Sequence, residues 1–175
     1  MKVLAFAASS STKSINKTLA NYAASLVTGA EFELLDINDY EMPLFSQDRE
    51  EELGQPQAAK DFFAKLGEAD AIIISFAEHN GTYTAAYKNL FDWTSRIDQK
   101  VFQNKPVVYL ATSPGPGGAA SVLAAATNSA QYFAADVKAS LSIPSFYDNF
   151  DMETQKLTNA ELDDQLKTAV AQLTE

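Results

Sequence analysis

The sequence predicts one doubly wound α/β domain, residues 1–175, built on a five-stranded parallel sheet in the order 2-1-3-4-5. Three observations lead there. Five short strand-like runs alternate with helical patterns along the chain. Three of those runs are apolar throughout, and two alternate apolar with polar residues. The 175 residues, 46% hydrophobic and 21% charged, suit a single core with no linker or repeat.

The strands are placed at Lys2–Ala7, Glu31–Ile37, Ala71–Phe76, Val107–Thr112 and Val137–Ile143. The first, third and fourth (VLAFA, AIIISF, VVYLA) need helices on both faces, which puts them inside the sheet. The second and fifth (EFELLDI, VKASLSI) have the alternation of half-exposed edge strands. That arrangement is the flavodoxin-like order. Between the strands, Ile15, Leu19, Tyr22 and Leu26 mark one apolar helical stripe, and Ala59, Phe62, Phe63 and Leu66 a second. Further helices are expected near Thr84–Arg96 and Gly118–Phe133. A last one starts at Thr158, whose spacing to Glu161 has the form of a capping box ahead of Leu162, Leu166, Ala169 and Leu173.

Composition removes several classes of function. The chain has no cysteine and one histidine, so disulfides are excluded and zinc lacks its usual ligands. A net charge of −10 argues against nucleic acid and anionic membranes as partners. Residues 31–52 concentrate nine acidic side chains against Arg49 alone, a pattern that reads as solvated surface. No apolar run approaches the roughly 20 residues that span a bilayer. The first strand is also shorter than a secretory apolar region of roughly 7–15 residues, so the expected location is the cytoplasm.

In a sheet of this kind ligands bind beyond the carboxyl ends of the strands, where strand order reverses. Three loops converge there: Ala8–Ser14, Ala77–Tyr83 and Ser113–Gly118, all rich in small or hydroxyl residues. The first runs directly into a helix. Hydroxyls of Ser9, Ser11, Thr12 and Ser14, the Asn16 amide and the free N–H groups of the helix start at Ile15 make an anion cradle suited to a phosphate monoester. A plain serine N-cap is the alternative reading of the same residues. The loop is not a P-loop, because no G-x-x-x-x-G-K-S/T occurs.

The second loop and its helix read AEHNGTYTAAYKNLFDW, and the third TSPGPGG. Together with the first loop, these resemble the NADPH-dependent FMN reductase family, which includes quinone, chromate and azo-dye reductases. The family patterns run roughly G-S-x-R-x-x-S-x-N and P-E-Y-N-x-S-x-x-x-x-L-K-N-x-x-D-W. The chain keeps Ser9, Ser14 and Asn16 of the first, and Glu78, Asn80, Lys88, Asn89, Asp92 and Trp93 of the second. It departs at Ala8 (Gly in the family), Ser11 (Arg), Ala77 (Pro), His79 (Tyr), Thr82 (Ser) and Tyr87 (Leu). The lost arginine is the usual bidentate phosphate partner, and Lys13 is the nearby point charge.

The resemblance implies FMN as cofactor and NADPH or NADH as electron donor. Ser9, Ser11, Ser14, Ile15 and Asn16 would surround the phosphate. The backbone of Glu78, His79, Asn80 and Gly81 would lie against the flavin ring, and Ser113, Gly115, Gly117 and Gly118 would close on its other edge. The implied activity is ping-pong hydride transfer through the flavin to a quinone, flavin, azo or similar small-molecule acceptor, in a homodimer or homotetramer. No side chain need act as nucleophile, because the cofactor carries the chemistry. Three other readings compete with it. One is a flavodoxin-type electron carrier, although the first loop is not T-x-T-G-x-T. Another is a dinucleotide-binding Rossmann-like protein, from the G-P-G-G-A-A match to G-x-G-x-x-G/A with Asp136 about twenty residues on. The third is a hydrolase built on His79, which lacks a G-x-S-x-G elbow.

Overall fold

A computed structural model describes every residue, Met1–Glu175. Five parallel strands form the main sheet: β1 (Lys2–Ala8), β2 (Glu31–Leu35), β3 (Ala71–Phe76), β6 (Pro106–Thr112) and β7 (Asp136–Ile143). Two hairpins of two-residue strands lie apart from it, β4 (Glu78–His79) with β5 (Thr82–Tyr83), and β8 (Phe150–Asp151) with β9 (Lys156–Leu157). The sheet order is β2-β1-β3-β6-β7, the expected 2-1-3-4-5 once β4 and β5 are counted. Burial follows the strand patterns. All six residues of β3 are buried, as are all but the first of β1 and β6, whereas β7 alternates between exposed and partly buried positions.

Alternate residues of the inner strands face opposite layers. Val3, Ala5, Ile73 and Val108 pack against α1 (Ile15–Ser25) and α7 (Ala160–Ala171) through Leu19 and Leu166. Leu4, Phe6, Ile72 and Ile74 face α3 (Gln57–Glu68), α4 (Ala85–Ser95) and α5 (Ala120–Ser129), where Phe62, Leu90 and Val122 meet them. Phe6 and Phe62 pack edge-on with ring centroids 5.7 Å apart. No helix is long and apolar enough to cross a membrane.

Several ends differ from the sequence reading for local reasons. β2 stops at Leu35 because the Asp36 carboxylate accepts the Asn38 N–H and caps a 3-10 turn over Ile37–Tyr40. α5 cannot begin at Gly118, since Gly118 and Ala119 both hold φ +58° and the helix starts only at Ala120. The cap of α7 is Asn159, whose side chain accepts the Leu162 N–H. Thr158 instead donates its N–H to Asn149, so the capping box expected there does not form. α2 (Gln47–Leu53) and the four-residue α6 (Phe146–Asn149) carried no apolar period, and α2 buries no residue.

Two polar ties fix α1 against the sheet. The buried Asn16 carboxamide accepts from Ser75 Oγ at 2.7 Å and from the Thr112 N–H at 3.1 Å, and donates to the Thr112 carbonyl at 3.2 Å. At the next residue, Lys17 Nζ lies 2.6 Å from Asp36 beyond β2, both about one-third exposed. That hydrogen bond, helped by Asn38, holds the Asp36 carboxyl below the usual carboxylate range. Its contribution is complete above the unfolded pKa of about 3.9 and is lost as pH falls through the lower folded value. Asp36→Asn is therefore expected to cost about 0.5–1 kcal/mol at neutral pH and nothing in strong acid, read from urea unfolding at a series of pH values. Asn16→Leu strands the Thr112 N–H and C=O in the core. It should lower the same unfolding free energy by about 3 kcal/mol, and a loss below about 1 kcal/mol would show that the tie is dispensable.

Candidate functional site

At the carboxyl edge of the sheet lies a crevice of about 270 Å³. Eight of the sequence-proposed residues line it: Ser9, Ser11, Ser14, Ile15, Asn16, Glu78, His79 and Ser113. They come from the ends of β1, β3 and β6, the three strands that the order reversal brings side by side.

The α1 end of the crevice has the chemistry of an anion site. Ser14 is the N-cap of α1, its Oγ accepting the Lys17 N–H at 3.2 Å. Ser9 Oγ likewise accepts the Ser11 N–H at 3.2 Å. Both oxygens act here as acceptors, so each keeps its own O–H to donate. The N–H groups of Ile15 and Asn16, in the first turn, have no intrahelical acceptor. No acidic side chain stands in that turn to compete for the helix dipole. Lys17 is committed to Asp36, but Lys13 lines the crevice, is exposed and makes no ion pair. Asn16 contributes differently from the sequence expectation. Its carboxamide oxygen and one N–H are engaged with Ser75 and Thr112, so its backbone N–H is what it presents at the helix start.

The β4–β5 hairpin forms the opposite wall. Its turn holds Asn80 at φ +53° and Gly81 at φ +81°, a left-handed pair that favours glycine at the second position. A Cβ on Gly81 would meet nothing within 4 Å, so the backbone there fronts open space. The Glu78 carboxylate accepts the Val122 N–H at 2.9 Å. This matters because Ala119, the N-cap residue of α5, offers no side-chain cap. Glu78 therefore caps α5 from another loop. Thr84 Oγ1 donates to the Ala8 carbonyl at 3.0 Å and ties the hairpin to the end of β1.

Asn80, Gly81, Gly115, Gly117 and Gly118 are not among the crevice-lining residues. Asn80 and Gly81 sit at the hairpin tip, and Gly115 and Gly117 have open space around a would-be Cβ. Gly118 has a packing role. A Cβ on it would fall 2.3 Å from Ser142 Oγ and 3.1 Å from the Pro144 backbone, and its carbonyl accepts from Ser142 Oγ at 2.7 Å.

One lining residue had no sequence signal of its own. Tyr147, 61% exposed, reaches the crevice from α6. Its loop is stitched to the third loop by the Ser145 N–H to Gly115 and the Phe146 N–H to Ser113, at 2.9 and 3.0 Å. The strand order alone, with β7 beside β6, would have pointed to this fourth loop. The remaining family-pattern residues lie outside the crevice and act on another segment. Asn89 accepts the Phe45 N–H and donates to the Met42 and Pro43 carbonyls, while Trp93 Nε1 donates to Pro43 at 2.7 Å. Lys88 and Asp92 pair with each other at 2.7 Å.

The chain has relatives among known proteins. A family model described as NADPH-dependent FMN reductase matches residues 1–148. The chain is 36% identical over 109 residues to a 2-hydroxy-1,4-benzoquinone reductase of a Burkholderia species, covering 61% of this chain and 57% of that protein. It is 34% identical over 121 residues to an NAD(P)H-dependent FMN reductase of Pseudomonas aeruginosa, covering 69% and 64%. The chain thus matches less than two thirds of the length of either relative. Among solved structures, a flavoenzyme NAD(P)H:(acceptor) oxidoreductase of Paracoccus denitrificans superposes with a TM-score of 0.77 at 24% identity, over 99% of this chain and 95% of that one. An azoreductase of Bacillus anthracis gives 0.69 at 16% identity, over 98% and 99%. These structural likenesses speak to the flavodoxin-like fold. The sequence match over residues 1–148 goes further, and by it the chain belongs to the NADPH-dependent FMN reductase family.

Proposed function

We propose that the chain is an FMN-dependent NAD(P)H oxidoreductase that passes electrons to a small acceptor such as a quinone, a flavin or an azo compound. The observation that carries this reading is the gathering of unengaged donors at the start of α1, at one end of a crevice that Glu78 and His79 of the β4–β5 hairpin also line. Ser9 and Ser14 keep their hydroxyl protons, the first turn holds free N–H groups and no acid, and Lys13 is an unpaired cation. Those groups fit a phosphate monoester, with Lys13 standing in for the arginine of the family pattern. The hairpin from Glu78 to Gly81 and the loop at Ser113 are the surfaces for a planar ring. When bound, FMN supplies the centre that accepts a hydride and gives up electrons.

The chain's own part is to bind, orient and polarise. Backbone N–H groups at Asn80–Gly81 and around Gly117 are the donors available to stabilise negative charge on a reduced ring. Glu78, whose carboxylate is engaged by the Val122 N–H of α5, would contribute to holding the ring through its backbone. Alternate occupation of one place by nicotinamide and acceptor gives a ping-pong cycle. The names of the two sequence relatives support the acceptor class. Assembly as a homodimer or homotetramer follows the family resemblance and is read by light scattering.

The deciding experiment is anaerobic addition of NADH or NADPH to the protein reconstituted with FMN. Bleaching of the flavin bands, with reoxidation by added quinone, is the expected result. A yellow protein that neither nucleotide reduces would make it an electron carrier, and failure to take up FMN would overturn the assignment. Ser14→Ala should weaken FMN binding by about 1–2 kcal/mol, beyond the cap-related loss of stability that the variant suffers anyway. Unchanged FMN affinity would leave Ser14 as a cap alone. Gly81→Val places a branched side chain in the open space before the turn. It should abolish FMN retention while the protein stays folded by circular dichroism.

A further inference from the structure

Behind the hairpin, between α4 and α5, is a second space that the crevice does not account for. It is a cavity of about 280 Å³ lined by 13 residues, nine of them hydrophobic. Phe91 and Phe133 meet edge-on at 4.7 Å on one wall, with Phe102 beside them. The remaining aromatic surface is Phe76 with three tyrosines, Tyr83, Tyr87 and Tyr109.

Two of those tyrosines are unusual. Tyr87 is 4% exposed and Tyr109 1%, yet neither hydroxyl has a hydrogen-bond partner in the chain. No side-chain oxygen that is fully sealed from solvent lacks a partner, so these two hydroxyls must open onto the cavity they line. Burial raises both phenols well above their ordinary range, which keeps them protonated donors at neutral pH. Tyr87 also stands where the family pattern has leucine, so its hydroxyl belongs to this chain's own departure from that pattern.

The volume exceeds what single waters explain. A single buried water needs about 10–15 Å³, and an apolar cavity of about 150 Å³ takes up benzene. Two unpartnered hydroxyls in an aromatic enclosure favour a guest that offers an oxygen and a flat apolar body. Charge is disfavoured, because the only ionic groups on the lining, Lys88 and Asp92, already neutralise each other at 2.7 Å on its more exposed side.

We propose that this cavity is a binding site for a neutral one- or two-ring aromatic bearing a hydroxyl or carbonyl oxygen, held between the phenylalanine walls with its oxygen on the Tyr87 and Tyr109 hydroxyls. The site is separate from the crevice and does not depend on FMN being the crevice ligand.

The test is calorimetric titration of 2-naphthol, a neutral and redox-inert probe, into the full chain with and without added FMN. Saturable binding at one site per chain, not displaced by FMN, is expected. Tyr87→Phe, which keeps every ring carbon, should weaken it about fivefold. Ala126→Phe, which fills the cavity, should abolish it. Should Ala126→Phe fail to fold, Tyr87→Phe still decides. No saturable binding means that the cavity holds only water, and displacement by FMN means that the probe sits in the crevice. Indifference to Tyr87→Phe removes the hydroxyl from the site. Each of these overturns the proposal, as does finding the cavity closed by a second copy of the chain in solution.

Discussion

The carboxamide of Asn16 lies where the start of α1 meets the ends of β3 and β6, and its bonds to Ser75 and Thr112 set the geometry of everything above it. An amide in that place has both a donor and an acceptor to satisfy, and a neighbouring strand end offers both. The helix start cannot slide along the sheet without breaking buried hydrogen bonds, each expensive to leave unmade in a low-dielectric interior. The N–H groups of the first turn are thereby aimed at a fixed point. An anion cradle made of neutral donors works only if those donors are held in advance, because flexible ones would lose entropy on binding.

The other loops are held by the same device of side chains bridging separate segments. Glu78 caps α5 from the hairpin, Thr84 ties the hairpin to β1, and Asn38 donates to the Ser10 carbonyl from beyond β2. The family block around Lys88–Trp93 belongs to this scaffold. Asn89 and Trp93 grip the backbone of Met42–Phe45, and Phe45 packs edge-on against the Trp93 ring at 5.0 Å. A motif recognised by its spacing can thus mark the support of a site, with the ligand-facing surface left to backbone and small residues.

The fold was legible because its signal is local. Strands apolar on both faces can only be inner strands of a covered sheet, and VKASLSI alternates because one face meets water, whereas EFELL grades from exposed Glu31 and Phe32 to buried Leu35. The crevice followed from the strand order, since ligand loops gather where that order reverses. The misses have equally local causes. A two-residue hairpin has too few positions to show a period, and α2, with no buried side chain, has no apolar stripe to read. The choice of Asn159 over Thr158 as cap turned on a contact with Asn149, ten residues away.

The sequence by itself determined the layer architecture, the strand order, the loops that meet at the sheet edge and the resemblance to a flavin reductase family. These depend on periodicity and on residue types at short spacing, both of which are carried along the chain. Only the tertiary structure decided what individual polar side chains do. It turned Asn16 and Glu78 inward as ties, left Lys13 free while pairing Lys17, brought Tyr147 to the crevice, and opened a cavity onto Tyr87 and Tyr109. A polar side chain bonds to whatever the fold places within about 3 Å of it. That partner is often dozens of residues distant, so no local pattern encodes the choice.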